Sequence, residues 1–481
     1  MLEVHQLAVE AARRAGAGYA DARFVTEESE SITVKNQEME GITRSRSDGL
    51  GIRVLVDGYW GFAATARADE SEVERTASLA VEIARAAARL PMEPIRLADV
   101  DPVTATWATS VQEDPFTVPL DEKVALLMET SRRMQEVKGL TFAEATLDLY
   151  RRHTLFASSE GANIDQTVVN SGGGMEATAI ADGEMQRRSF PNSFRGHIRA
   201  AGFEHIRSLG LTQEAARVAQ EAVDLLSAKD CPSEVTTVVL DATQMVLQVH
   251  ESVGHPVELD RVLGMEEAYA GTSFLRIEDR DRLRYASDKV TITADATLPG
   301  GLGSFGFDDE GVPAQRVTVL EEGVFRNFIS SRETAPVLGP DARSTGAMRA
   351  DGWQNLPLIR MTNISLEPGE GSLAEIIGDT KDGVYLHTNQ SWSIDDKRVN
   401  FQFGCEVAWR IKDGRLMELY RNPNYAGITT EFWGSCDAVG GSEEWSVWGT
   451  PNCGKGQPGQ AARVGHGTSP ARFRNVQVGV R

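Results

Sequence analysis

The first 230 residues of this 481-residue chain present one order of segments twice. Apolar residues at helical spacing over 2–16 are followed by alternating strand patterns over 20–65 and by a strong helical pattern over 68–90. A similar order, with strands between two helices, recurs from the helix predicted at 121–139 to the helix predicted at 212–229. The recurrence favours an internal duplication of a helix–strands–helix unit.

The pattern of the chain changes near residue 230. Residues 242–255 read as one helix, and from about 285 onward nearly every segment is a strand or a turn. Asp-Gly pairs, which are typical of two-residue hairpin turns, mark hairpins at Asp48-Gly49, Asp57-Gly58 and Asp413-Gly414. We therefore expect an α+β fold of two domains. An α/β domain with antiparallel strands would span 1–230, and a mostly antiparallel β domain that carries the helix would span 231–481.

Composition limits the possible partners. Lys and Arg total 49 against 70 for Asp and Glu, a formal net charge of −21, which disfavours binding to nucleic acid and to anionic membranes. We expect no membrane span, since no run of 18 apolar residues occurs, and no signal peptide, since the N-terminus lacks a basic segment before an apolar one. Four cysteines are too few for a disulfide scaffold, so a cytoplasmic location is expected.

The segment His250-Glu251-Ser252-Val253-Gly254-His255 resembles the zinc-protease signature H-E-x-x-H with one added residue. On a regular α-helix, residues five apart differ by about 140° around the axis, so the two imidazoles would not meet on one ion. Gly254 tolerates distorted dihedral angles, and Pro256 disfavours the α conformation at His255. We therefore expect the helix to loosen or end there, through a π-type turn that returns His255 towards His250.

Zinc is the metal that this histidine pair would suit, with three protein ligands and a water. Glu251, which follows a ligand, could accept the proton of that water and pass it to the leaving amine. The third ligand is open from the residues alone. Cys453 is favoured because its glycine-rich surroundings expose the backbone and Lys455 would favour a thiolate. The alternatives are Cys436, His387, Glu258 and Asp260.

Other residues suggest supporting roles around this site, and Lys455 could also support the ligands or line a substrate groove. The segment SWSIDDKR at 391–398, with Asp395, could line a substrate groove or support the ligands, or it could be a solvated hairpin. His387 could help to stabilise an oxyanion, although a lone strand histidine is commonly structural. The glycine-rich segment 301–311 is not followed by a helix, which argues against a phosphate loop and fits a mobile segment over the site.

Two other functions remain open from the residues. Cys453 with a histidine as base could form a thiol hydrolase, which would survive chelators. Alternatively, a structural zinc could hold together a scaffold without catalysis, in which Glu251 would be dispensable.

The motifs HESVGHPVELD, SWSIDDKRVNFQF, GSCDAVGG and PNCGKGQPGQ, in this order, resemble the TldD/PmbA family of metalloproteases. The N-terminal segments YADARF and GLGIRVLVDGYWGFAATA are also similar to that family, so the resemblance covers essentially the whole chain.

The resemblance implies a zinc peptidase with His250, His255 and Cys453 as metal ligands and Glu251 as the catalytic glutamate. Because every metal residue is present, the chain resembles the TldD branch, which holds the metal, and not the PmbA (TldE) branch, which lacks the motif. The implied substrates are unfolded or short peptides. The implied assembly is a homodimer or a heterodimer with a PmbA/TldE-like subunit.

Overall fold

The fold is known from a computed structural model that describes residues 3–91 and 93–480. Residues 1, 2, 92 and 481, which fall within the predicted domains, lie outside this description. The helices of the N-terminal part are α1 Val4–Ala15, α2 Glu70–Ala87, α3 Leu120–Gln135, α4 Phe203–Ser208 and α5 Leu211–Leu225. Its strands are β1 Tyr19–Lys35, β2 Glu38–Val56, β3 Tyr59–Thr65, β4 Thr104–Ala108, β5 Leu140–Ser158, β6 Asn163–Ala181, β7 Glu184–Phe190 and β8 His197–Arg199.

These eight strands form one sheet in the order β3-β2-β1-β5-β6-β4, with β7 and β8 also pairing with β6. All pairings in it are antiparallel except β4 with β6. One core cluster packs α1 and α2 against β1–β3, and a second packs α3 and α5 against β1, β5 and β6. In each strand, the residues that belong to these clusters alternate with residues that point to the other side of the sheet. Both clusters lie on the same face, so the helices cover one face of the sheet. The helix–strands–helix order therefore occurs twice in space as well as in sequence.

The hairpin predictions from Asp-Gly pairs are right at two places and wrong at one. Asp57-Gly58 and Asp413-Gly414 have positive φ angles and connect paired antiparallel strands. Asp48-Gly49 instead lies inside β2, which pairs with β1 along its whole length. A Cβ at Gly49 would lie 2.4 Å from the ring of Trp353, so this glycine permits a close approach and not a turn.

The C-terminal part is built mainly on a second eight-stranded sheet, in the order β17-β10-β24-β20-β18-β19-β9 with β21 beside β24. Its helices are α6 Ala242–Val249, a π-helix at His250–Gly254, α7 Leu259–Val262, α8 Glu267–Ala270, α9 Leu373–Gly378 and α10 Thr429–Gly434, with short 3₁₀ turns at Ile277–Asp279, Ala335–Leu338 and Ser442–Glu444. Its strands are β9 Lys229–Asp230, β10 Glu234–Leu240, β11 Ile292–Asp295, β12 Arg316–Glu321, β13 Val324–Phe325, β14 Met348–Arg349, β15 Leu358–Ile359, β16 Ile364–Leu366, β17 Asp382–Ile394, β18 Asn400–Lys412, β19 Arg415–Arg421, β20 Asn424–Ile428, β21 Cys436–Val439, β22 Ser446–Lys455, β23 Gln460–Thr468 and β24 Ala471–Val478.

The α+β class with mostly antiparallel strands is confirmed. Among the strand pairs of the C-terminal sheet that the structure describes, β10–β17 and β9–β19 are the parallel ones. The domain boundary near 230 stays a prediction, although β9 at Lys229–Asp230 already pairs with the C-terminal sheet. Of the helices within the described ranges, none is long and apolar enough to span a bilayer.

Buried ion pairs join the C-terminal part to the N-terminal sheet, on the side of that sheet away from its helices. Arg23 lies 3.2 Å from Asp309, and Arg53 lies 3.2 Å from Glu310. Charges that are buried in this way are costly unless they are paired. These pairs fix the orientation of the sheet against the segments that carry the candidate site.

Candidate metal centre

The helix that carries the two histidines changes its hydrogen-bond pattern where the sequence predicts. Asp241 caps α6, its side chain accepting from the backbone N–H of Thr243 at 2.8 Å. After Val249 the helix widens into the π-helix, and the N–H of His255 donates to the carbonyl of His250 at 3.2 Å. This bond spans five residues and returns His255 to the side of the helix that bears His250.

The conformation of His255 differs from the expectation. Pro256 is expected to push His255 out of the helical region, yet His255 has φ −66° and ψ −42°. The added residue is accommodated by the wider turn, and the helix ends because Pro256 has no N–H to continue it. Gly254 is required by packing, since a Cβ there would lie 2.3 Å from the sulfur of Met361.

His250, His255 and Cys453 converge. One ligand atom from each lies within 4.8 Å of the others, and all three residues are buried. The Cys453 Sγ is 3.8 Å from His255 Nε2, and the two imidazoles are perpendicular at 4.8 Å between ring centres. Nitrogen and sulfur ligands of one tetrahedral zinc are about 3.6 Å apart, so small movements would let this donor set hold the ion.

His466, which lies in no motif that predicts a role for it, fixes the tautomer of His250. Its Nδ1 lies 2.9 Å from the carbonyl oxygen of Ile364 and must donate to it. Burial holds the pKa of His466 well below its usual value, so its Nε2 carries no proton and accepts from His250 Nδ1 at 2.8 Å. The Nε2 lone pair of His250 therefore faces the centre and is free for a metal.

Glu258 performs the same task for His255. Its Oε2 lies 3.0 Å from His255 Nδ1, which leaves Nε2 for the metal. Burial alone would raise the pKa of Glu258, but Lys455 and His255 hold that pKa well below its usual range. Lys455 lies 3.3 Å from Glu258, 2.8 Å from Asp260 and 3.1 Å from Glu266. Lys455 thus supports Glu258 behind the ligands, which is one of the roles that the sequence suggests for it, the other being to favour a thiolate at Cys453.

The thiolate of Cys453 is favoured by other neighbours. Burial would raise the pKa of this thiol, but His255 and Arg360 hold it below its usual value. Arg360 is itself buried and donates to the backbone carbonyl of Cys453. A thiolate is the form that binds zinc.

Glu251 lines the cavity of about 270 Å³ that contains the three candidate ligands. Its Oε2 accepts a hydrogen bond of 2.8 Å from Nη1 of Arg398, which lines the same cavity. The Nε of Arg398 is buried and has no hydrogen-bond partner among the described residues. Phe194 and Trp392 also line the cavity, and their rings meet edge to face with their centres 6.3 Å apart.

Asp395 acts on this cavity through the backbone. Its carboxylate accepts from the N–H groups of Lys397 at 2.9 Å, Val399 at 3.1 Å and Asn400 at 2.6 Å. These bonds close the turn in which Arg398 takes a φ of +66°. Asp395 therefore shapes the turn that presents Arg398 to Glu251.

The remaining candidates lie away from the centre. His387 lies 3.5 Å from Asp241 and bonds to Thr388, and it does not line the cavity. Cys436 is buried in β21, where its thiol lies 3.7 Å from the carbonyl of Ala438. The segment 301–311 does not line this cavity either, but is buried against the N-terminal sheet, where Gly306 donates to Gln166 at 2.7 Å.

Known proteins resemble this chain along its whole length. A metalloprotease of Methanocaldococcus jannaschii is 30% identical over 93% of this chain and 94% of that protein. A zinc metalloprotease TldD homolog of Saccharolobus solfataricus is 22% identical over 98% of both chains.

Solved structures share the fold. The crystal structure of a putative modulator of DNA gyrase from Thermotoga maritima matches with a TM-score of 0.75 and 18% identity over 99% of both chains. TldE from Thermococcus kodakarensis matches with a TM-score of 0.73 and 16% identity over 99% of both chains.

Family models cover most of the sequence. Those described as PmbA/TldA metallopeptidase domain 1, central domain and C-terminal domain match residues 20–84, 113–229 and 233–480. The chain therefore belongs to the PmbA/TldD family of metallopeptidases.

Proposed function

We propose that the protein is a zinc-dependent peptidase of the TldD branch that hydrolyses peptide bonds in unfolded or short peptides. One observation carries the proposal: ligand atoms of His250, His255 and Cys453 lie within 4.8 Å of one another in the cavity that Glu251 also lines, and the other ring nitrogen of each histidine is engaged in a hydrogen bond. A neutral His–His–thiolate set fits zinc in a catalytic site, where the fourth position stays open.

Zinc bound there would lower the pKa of a water ligand and polarise the scissile carbonyl. Glu251 accepts the proton of the attacking water and delivers it to the leaving amine. Arg398 holds Glu251 in place through Nη1, and its guanidinium group, which lines the cavity, is the candidate donor to the carbonyl oxygen of the substrate. Arg398 takes this role in place of His387, which lies outside the cavity.

The test is the zinc-loaded Glu251→Gln variant, assayed on an unstructured fluorogenic peptide. We expect it to bind one zinc ion per chain and to lose about 10²–10⁴-fold in kcat/KM, the usual contribution of a general base. Glu431→Gln, on the exposed side of α10, is the matched control and should keep the full rate. A zinc-loaded Glu251→Gln enzyme with the wild-type rate would remove Glu251 from the reaction and favour a structural zinc.

A thiol hydrolase is the second candidate, because Cys453, His255 and Glu258 form a chain of contacts of 3.8 and 3.0 Å. Two observations favour the metallopeptidase. Cys453 is buried, with 5% of its surface exposed, and Glu251 lines the cavity separately from the contacts between Cys453, His255 and Glu258. Treatment with phenanthroline decides between them. The zinc enzyme loses activity and regains it with added zinc, whereas the thiol enzyme keeps its activity without metal.

The proposal includes a dimer, formed with a second copy or with a TldE-like subunit. Its support is the shared fold with TldE from Thermococcus kodakarensis and the family membership. We place the protein in the cytoplasm, where its four free cysteines would stay reduced, and we expect it to bind neither nucleic acid nor membranes. Sedimentation equilibrium of the active protein tests the assembly, and a fully active monomer would contradict it.

A further inference from the structure

Behind the two histidines, on the other side of their helix, lies a buried network of polar side chains. Residues two apart on an α-helix differ by about 200° around the axis, so Ser252 points away from the side that bears His250. The hydroxyl group of Ser252 accepts from Nε1 of Trp433 at 2.8 Å and from Nε2 of Gln248 at 2.9 Å, and it donates to the carbonyl group of Gln248. A hydroxyl group has one donor and two acceptor positions, and all three are used here.

The backbone carbonyl group of Ser252 has a partner from outside the helix. In an α-helix this carbonyl would accept from the N–H of residue 256, but residue 256 is a proline and has no N–H. The hydroxyl group of Tyr285 donates to it instead. Because a buried carbonyl without a partner is costly, this bond stabilises the backbone at the point where the helix widens.

Tyr285 and Trp433 reach the helix from two segments that are bonded to each other. Trp433 lies in α10, Tyr285 lies in the segment before β11, and the N–H of Ser287 donates to the carbonyl of Trp433 at 3.1 Å. Ser252, Tyr285 and Trp433 are fully buried, and none of these three residues lines the cavity that contains the candidate ligands. A fully satisfied buried network favours one arrangement, because a shift would leave one of its groups unpaired. The network therefore acts on the candidate centre through the backbone of the helix.

We propose that Ser252 and Tyr285 are positioning residues for the metal centre, whose hydrogen bonds hold the π-helix in the conformation that returns His255 to the side of His250. The π-helix lets two histidines five residues apart face one ion, and Ser252 lies inside it, between them. Tyr285 bonds to the same residue and so fixes the backbone from the opposite side. The proposal rests on the zinc site proposed above, but not on the role assigned there to Glu251.

The test compares two full-length variants that each lose one buried tyrosine hydroxyl group. Tyr285→Phe removes the bond to Ser252, whereas Tyr19→Phe, the matched control, removes a bond of 2.9 Å to Asp21 in the N-terminal sheet. Zinc affinity is measured by competition with a chromophoric chelator. We expect Tyr285→Phe to bind zinc about tenfold more weakly than the wild type, the lower end of the usual cost of losing a group that orients metal ligands. Tyr19→Phe should bind zinc like the wild type.

Cobalt(II) in place of zinc gives a readout that a loss of stability alone does not change, because its visible absorption bands report the geometry of its ligands. The spectra are recorded at saturating cobalt, on variants that circular dichroism shows to be folded. Tyr285→Phe should shift the bands, and Tyr19→Phe should show those of the wild type. Ser252→Ala should shift them as well, because it leaves the side-chain N–H groups of Trp433 and Gln248 without their acceptor.

Wild-type zinc affinity and wild-type cobalt bands in folded Tyr285→Phe would overturn the proposal, and so would equal changes in Tyr285→Phe and Tyr19→Phe. If Tyr285→Phe does not fold, Ser252→Ala takes its place in the same comparison. A wild-type protein that bound neither zinc nor cobalt would remove the metal centre, and this proposal with it. If metal binding and the variants behave as expected but Glu251→Gln keeps the full rate of hydrolysis, the role of Glu251 fails and the positioning role is supported.

Discussion

Each histidine of the candidate centre is oriented by a hydrogen bond on the nitrogen that faces away from the centre. Glu258 accepts from His255, as a carboxylate commonly does behind a metal-binding imidazole. His250 is held instead by a neutral imidazole, that of His466, whose own proton is committed to the carbonyl of Ile364. The tautomer of His250 thus depends on a relay of three groups.

This relay predicts the effect of removing His466. The His466→Ala variant leaves Nδ1 of His250 without its acceptor, so either nitrogen can carry the proton and the ring loses its fixed orientation. We expect zinc affinity to fall about 10–100-fold, the usual cost of losing such a partner, as measured by competition with a chromophoric chelator.

His466→Gln is the matched control, because an amide oxygen can accept from His250 in place of the imidazole nitrogen. It should recover much of the zinc affinity. If alanine and glutamine variants bound zinc as tightly as the wild type, the relay would have no part in metal binding.

The residues of the centre differ in how far the sequence predicts them. His250, Glu251 and His255 are neighbours in a recognisable motif, whereas the residues alone leave Cys453 in competition with Cys436. His466 and Arg360 have no local signal, since each acts through a contact that the tertiary fold makes 93 or more residues away along the chain. Arg398 lies in the motif SWSIDDKR, which indicates a supporting role, but its contact with Glu251 spans 147 residues and has no local signal.

At the scale of elements, the π-helix at His250–Gly254 is what makes the added residue compatible with a metal site. It depends on a close contact at Gly254, where a Cβ would meet the fully buried Met361. We expect Gly254→Ala to lower the free energy of unfolding by about 1–3 kcal/mol, the usual cost of overpacking, and to weaken zinc binding by shifting His255. Denaturant unfolding and zinc titration measure the two effects.

The matched control is Gly434→Ala at the end of α10, where an added Cβ would meet nothing within 4 Å. It should leave the zinc affinity unchanged and raise the free energy of unfolding by up to about 1 kcal/mol, as Gly→Ala usually does at a helical position without strain. A Gly254→Ala protein with wild-type stability and zinc affinity would show that the turn tolerates a side chain and that packing against Met361 does not determine it.

Local turn chemistry predicts elements only where no distant residue competes. Asp57-Gly58 and Asp413-Gly414 form hairpins as their sequence indicates. Asp48-Gly49 has the same two residues but continues as a strand, because Trp353 from the C-terminal part packs directly over the glycine. A tertiary contact 304 positions away, which no local pattern reveals, decides that case.

At the scale of the whole molecule, buried polar groups join the two halves. Besides the arginine pairs, His197 in β8 lies 2.7 Å from the carbonyl of Val447 in β22. His205 in α4 lies 3.1 Å from the carbonyl of His197, and the two rings are 4.8 Å apart. Burial lowers the pKa of His197 to about 3 and that of His205 to about 4.

These values predict a loss of stability in mild acid. Between the ordinary pKa near 6.5 and the lowered values, the unfolded chain binds protons that the folded chain does not, so the free energy of unfolding decreases as the pH falls. At pH 5, His197 and His205 would each lower the free energy of unfolding by about 2 kcal/mol. Urea unfolding at pH 7, 6 and 5 measures the slope of the free energy of unfolding against pH.

His205→Gln keeps a side-chain N–H for the carbonyl of His197 but cannot take up a proton. It should reduce the slope between pH 6.5 and 5 by the share of one histidine, since His197, His466 and the other histidines whose pKa burial lowers still titrate. A slope equal to that of the wild type would assign the acid sensitivity to other groups.

The central claim is that His250, His255 and Cys453 hold one zinc ion beside Glu251. An anomalous-difference map from a crystal of the zinc-loaded protein, with data on both sides of the zinc absorption edge, tests it most directly. We predict one strong peak about 2.0–2.1 Å from Nε2 of each histidine and about 2.3 Å from the cysteine sulfur, with Glu251 outside bonding distance. A peak held by Cys436, or no zinc peak between the two histidines, would contradict the account.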